Sequence, residues 1–181
     1  MRRGIIVFSL LVLMILISRG WLYRSMICYN KSGEREKIEI TNQKLVEVIQ
    51  SEWNGEHLEL SGVLKLAGRL TSKTLRFSSI QKSQDPNGML RDGRANCIGY
   101  SAFYSAVLEF LLSEQGEAEM YEVNHVKGRL ELFGVDIHQF LRSPFFKDHD
   151  YNEIMNKETG ERILVDASVE DYFYIHRVRG K

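Results

Sequence analysis

The chain has 181 residues, 44% of them hydrophobic, which suits one well-buried domain rather than several. Its 24 basic and 24 acidic residues cancel and no basic block stands out, so nucleic acid is not indicated as a partner. The 2 cysteines, Cys28 and Cys97, form no Cys-x-x-Cys pair, which excludes a disulfide scaffold and the common structural zinc signatures.

The N-terminus opens with the basic stretch Met1-Arg2-Arg3-Gly4, followed by an apolar run, Ile5 to Ile17, broken only by Ser9. That run is short for a membrane span, which needs roughly 20 residues, and fits a signal-peptide core. Ser18 and Gly20 would flank a weak cleavage site. Alternatively Arg19 snorkels, and Trp21, Leu22 and Tyr23 extend an uncleaved anchor into the interface. Residues 1–23 are therefore expected to be a single-pass signal anchor, or else a signal peptide. Arg2 and Arg3 would stay in the cytoplasm, leaving the domain extracytoplasmic and attached to the membrane through this segment. Residues 24–37 read as a polar tether and residues 38–181 as the domain. In an oxidising compartment Cys28 and Cys97 could pair as a disulfide.

Thr41 is placed to cap a helix carrying Leu45, Val46, Val48 and Ile49 that ends near Trp53-Asn54-Gly55. A second helix follows, with Leu58, Leu60, Val63, Leu64, Leu66, Ala67 and Leu70 as its apolar stripe. Trp53 and His57 read as packing and surface residues. Thr74-Leu75-Arg76-Phe77 is a short extended piece, and Gln84-Asp85-Pro86-Asn87-Gly88 a turn-rich loop.

Between Arg94 and Glu109 no charge occurs, and apolar residues recur on every side at three- and four-residue steps. This predicts a buried central helix, capped by Asn96, beginning at Cys97 and stopped by Gly116. A thiol in that first turn meets unpaired N–H groups and the positive end of the helix dipole, and both favour thiolate. A small buried core residue is the alternative for Cys97.

Beyond Gly116 the period becomes two. Tyr121-Val123-His125, Leu130-Leu132 and Val135-Ile137 read as strands, with turns at Lys127-Gly128 and near Gly134. Leu141–Lys147 reads as a loop. Two further strands, from His149 and up to Ser168, are joined by a hairpin at Asn156–Glu161. Antiparallel pairing there can bring His149 to Asp166. An imidazole oriented by a carboxylate, next to a thiolate at a helix N-terminus, is what cysteine nucleophilic catalysis requires. The fold class expected is α+β, a central Cys-bearing helix packed on an antiparallel sheet.

Gly93-Arg94-Ala95-Asn96-Cys97-Ile98-Gly99-Tyr100-Ser101-Ala102 resembles the cysteine-bearing helix start of the transglutaminase-like superfamily. His149-Asp150-Tyr151-Asn152-Glu153-Ile154 and Ile163-Leu164-Val165-Asp166-Ala167-Ser168 resemble its histidine and aspartate strands, in the same order. The resemblance implies a papain-like fold and a triad of Cys97, His149 and Asp166. It also implies thiol acyl chemistry on amide bonds of a peptide or protein substrate, with no cofactor. The chain departs from the pattern in the long separation of Cys97 from His149 and in Tyr151 where tryptophan is common.

His138 competes with His149 for the base role. His125 reads as a structural residue on a strand face, and His176 lies in a basic tail. Asp148 and Asp150, pointing away from His149, are expected to be solvated. The Cys97 N–H is the expected oxyanion donor, with Asn96 and Arg94 as further candidates. A metal site built from Cys97, His138, His149 and Asp166 has the right ligand types but no close-spaced pair. A catalytically silent member of the same superfamily, binding peptide or scaffolding a membrane complex, is the remaining alternative.

Overall fold

In a computed structural model, which describes residues 2–80, 84–143 and 147–181, the chain is a mixed α+β protein built around one helix, α5 (Cys97–Glu114). Before it come α1 (Arg2–Met26), β1 (Ile27–Glu34), α2 (Gln43–Trp53), α3 (Leu60–Thr74), β2 (Arg76–Phe77), α4 (Pro86–Asp92) and β3 (Arg94–Ala95). After it come β4 (Tyr121–Leu132), β5 (Val135–Asp136), a 3₁₀ turn (Ile137–Phe140), β6 (His149–Asn156), β7 (Arg162–Val165) and α6 (Ala167–Phe173).

Helix α5 starts where the Asn96 side chain accepts the Ile98 and Gly99 amides at 3.1 and 3.3 Å. It is buried on nearly all sides, with Tyr100, Phe103, Tyr104, Val107 and Leu108 having no exposed surface. Burying each such side chain is worth ~1.5–3 kcal/mol, which fixes α5 as the centre of the core. Helix α3 lays Val63, Leu64, Ala67 and Leu70 against it, α2 adds Leu45 and Ile49, and the sheet adds Val123, Ile154, Ile163 and Val165.

The sheet is antiparallel in the order β1-β4-β6-β7, with β5 pairing back on β4. Ile27–Glu34, which by composition belongs to a polar tether, is thus an edge strand. Its polar residues are spent on the sheet: Asn30 donates to Glu131 at 2.7 Å, and Lys31 to Glu153 at 2.9 Å. The C-terminal tail bridges both edges, pairing Gly180 with Tyr29 of β1 and Val178 with Leu164 of β7. This curls the two edges toward one another.

Several local expectations change. The last strand stops at Val165, and Ala167-Ser168 open α6 because Asp166 caps it; Ile137 opens the 3₁₀ turn, capped by Asp136, in place of ending a strand. Strand β4 runs unbroken through Lys127-Gly128, in place of the expected turn. Gly128 is there for space: a Cβ would come within 2.6 Å of the Tyr151 ring and 2.8 Å of the Asn30 carbonyl. The cap of α2 is Asn42, which accepts the Lys44 amide, while Thr41 donates its amide to Asn87. The Gln84–Gly88 loop gives way to α4, because Asp85 caps a helix with Pro86 in its first turn and Gly93 closes it at φ 61°. The loop expected over Leu141–Lys147 falls in part on residues 144–146, outside the described residues.

Gly128→Ala is expected to destabilise the protein by about 1–3 kcal/mol, because backbone on one side and a buried ring on the other cannot both give way. Chemical denaturation of the purified chain measures this.

Candidate active site

Three chain segments meet at the N-terminus of α5. Cys97 is its first residue and is 6% exposed. His149 opens β6, and Asp166 ends the β6–β7 hairpin and caps α6. The structure brings all three side chains together. His149 Nε2 lies 2.5 Å from Asp166 Oδ2, and His149 lines the same cleft as Cys97, close enough to interact with it electrostatically. With Nε2 on the carboxylate, Nδ1 is the nitrogen left for the sulfur. Asn152, fully buried, donates to the Ser101 carbonyl at 2.9 Å and so sets the height of α5 against β6.

Asp166 has no exposed surface and is satisfied on both oxygens. Oδ1 accepts the Ser168 amide (3.0 Å), the Ser168 hydroxyl (2.7 Å) and the Val169 amide (3.1 Å). Oδ2 takes His149 and the Tyr29 hydroxyl, the latter at 2.7 Å. Burial alone would raise the carboxyl pKa, but the charge and hydrogen bond of His149, with the bonds from Tyr29 and Ser168, outweigh it and hold it low. Burial would likewise discharge His149. The Asp166 charge and hydrogen bond, joined by the charge of Cys97, instead hold its pKa well above the ordinary imidazole value. The arrangement favours an imidazolium between a carboxylate and a sulfur.

Tyr29 is the site residue that sequence reasoning misses. Burial and the Asp166 charge push its phenol well up, so it remains a donor at all working pH values. Its oxygen also lies 2.7 Å from the Tyr23 hydroxyl of α1. No motif marks it; it reaches Asp166 because the sheet curls.

Asp150 corrects another expectation. It is fully buried rather than solvated, gripped by Arg35 through Nε (2.6 Å) and Nη2 (3.0 Å), with His125 Nε2 at 2.7 Å. The hydrogen bond to Asp150 raises the pKa of Arg35 most. The charges of Asp150 and Asp148 add to it.

The rival base lies nearby. His138 shares the cleft beside Cys97 with His149, but its Nε2 accepts the Leu130 amide at 2.9 Å. Both cysteines are free, with Cys28 buried in β1, so the disulfide does not form. Among the described residues no group of three His, Cys, Asp or Glu is arranged to hold a metal. Of the oxyanion candidates, the Cys97 N–H is in the first turn, where no intrahelical acceptor exists. Asn96 serves as the cap, and Arg94 is exposed on β3. Comparison with protein-family models, curated proteins and solved structures finds no match to this chain.

The opposed shifts give a signed pH dependence. Asp166 has a lowered folded pKa, so its contribution is complete above about pH 3.9 and is lost as pH falls through the folded value. His149 has a raised one, so its contribution is complete below about pH 6.5 and is lost as pH rises through the folded value. The stability gap between wild type and Asp166→Asn should therefore be widest between about pH 4 and 6.5. Denaturation midpoints across pH read it directly.

Proposed function

We propose that this chain is a thiol hydrolase or acyltransferase of transglutaminase-like, papain-like type, acting on peptide or amide bonds. The observation that supports this most is the His149–Asp166 hydrogen bond in the same cleft as Cys97, at the start of a buried helix. Cys97 thiolate attacks the carbonyl carbon, with the Cys97 N–H turned to the oxyanion. His149 then gives its proton to the leaving amine. Water or an acceptor amine, deprotonated by His149, attacks the thioester and releases the sulfur. Asp166 holds the imidazole in place and balances its charge, and Tyr29 and Ser168 hold Asp166 in turn.

Helix α1 is the proposed anchor. From Val7 to Met26 it is long and apolar enough to cross a membrane, and none of that stretch is buried in the protein. The apolar side chains of Phe8, Leu13, Leu16 and Ile17 stand exposed along it. The basic pair Arg2-Arg3 favours a cytoplasmic N-terminus, with the domain on the other side.

A chloromethyl ketone should alkylate Cys97 at neutral pH faster than it alkylates an unperturbed thiol, as mass spectrometry would detect. His149→Ala should slow this by roughly a hundredfold or more, while His138→Ala leaves it nearly unchanged. Labelling at the ordinary thiol rate in wild type would instead favour a silent binding module. Dependence on His138 rather than His149 would reassign the base.

A further inference from the structure

The cleft over Cys97 encloses about 650 Å³, well within the ~300–1,000 Å³ range of small-molecule sites. Its described wall is apolar: Phe77, Leu130, Ile137, Leu141, Val169 and Phe173. The polar side chains on that wall are already engaged within the protein. His138 accepts the Leu130 amide, Asp148 pairs with Lys127 at 3.4 Å, and the Ser168 hydroxyl is spent on Asp166. The Tyr172 hydroxyl accepts the Phe77 amide at 3.0 Å. An extended peptide laid here would bring amides and carbonyls with few partners to receive them, each at a desolvation cost. A hydrocarbon chain brings none.

One wall residue of the cleft, Phe173, is also a point where α1 meets the domain. Arg19 of α1 donates through Nε to the Phe173 carbonyl at 2.9 Å, and its guanidinium lies 5.8 Å from the centre of the Tyr174 ring. The Phe133 amide donates to the Met26 carbonyl, the last of α1, at 2.8 Å. Phe133, Phe173 and Tyr174 nonetheless stand 72%, 61% and 67% exposed. Solvent-facing aromatics along the stretch where an apolar helix meets a domain, Tyr174 above all, are of the kind that lie in the headgroup layer of a bilayer.

We propose that this cleft is an acyl-chain site: it takes the long fatty acyl group of a membrane-resident donor and presents its carbonyl to Cys97. This rests on the thiol chemistry proposed above and names its substrate class. Cys97 thiolate adds to the acyl carbon, the bond from that carbon to the donor oxygen or nitrogen breaks, and the His149 proton leaves with the alcohol or amine. The chain stays in the cleft as a Cys97 thioester. Water or an amine then gives its proton to His149 as it attacks, and the sulfur departs as thiolate. The donor is either a lipid ester or an acylated polypeptide; both offer the same hydrocarbon to the same wall.

The test uses the full chain reconstituted in vesicles and a series of n-alkyl chloromethyl ketones, in which chloride leaves and the alkyl group occupies the acyl position. Cys97 alkylation should quicken with chain length, by up to about fourfold per methylene buried. Phe173→Ser, whose fold is checked separately by its denaturation midpoint, should flatten that rise; a rise that survives the substitution is simple partition into the bilayer and overturns the acyl-chain site. Intact mass then identifies the donor. A Cys97 thioester formed from vesicle phospholipid assigns a lipid ester, and one formed only with an N-palmitoyl peptide assigns an acylated polypeptide. Both results support the proposal. A flat series with Cys97 still labelled, or faster labelling by an Ala-Ala-Phe chloromethyl ketone than by the dodecyl probe, overturns the acyl-chain site and leaves the thiol chemistry standing. No labelling of Cys97 by any probe removes both.

Discussion

The buried carboxylate of Asp166 is the constraint on which the rest of this structure depends. A charge with no exposed surface is tolerable only if it is paired and hydrogen-bonded throughout, and here the partners come from three segments far apart in the chain. Ser168 and Val169 supply a helix N-terminus, His149 a strand start, and Tyr29 the far edge of the sheet. Satisfying one side chain thus forces β1, β6 and α6 into register with each other. The geometry over the sulfur follows from that register rather than from local contacts.

A second buried carboxylate, that of Asp150, has the same role at the next position of β6. Strand alternation turns His149 and Asp150 to opposite faces, and each finds a complete set of partners there. Arg35, just past the end of β1, closes this second network. Strand β1 is therefore tied to β6 by side chains on both faces, although in the sheet it pairs only with β4. That doubling explains why so polar a segment behaves as sheet rather than as linker.

Much of this is legible in the sequence, and the failures share a cause. The cap and span of α5 are written in Asn96, in the uncharged run after Arg94 and in Gly116, all local signals. His149 and Asp166 are found by hairpin arithmetic, which needs only short-range pairing. Tyr29, Arg35 and the tail at Val178 and Gly180 carry no such mark, because their roles come from strands and networks assembled across the whole chain. Composition misleads for the same reason. Asn30, Lys31 and Glu34 look like solvated linker until the strand they pair with is known. Turn propensity misreads Gly128, whose place is explained by crowding between neighbouring strands.

The phenol pair of Tyr23 and Tyr29 has a practical corollary for anyone cutting this protein at the boundary its composition invites. A recombinant piece begun at residue 38 would shed an entire sheet edge, one hydrogen-bond donor to the Asp166 carboxylate and the arginine on Asp150. Trimming after Gly20 instead keeps Tyr23 and the Met26 carbonyl, while it loses most of α1 and with it the Arg19 contacts to Phe173 and Tyr174. The N-terminal segment and the part of the molecule around Asp166 are in this sense one cooperative unit, and the former cannot be discarded as packaging.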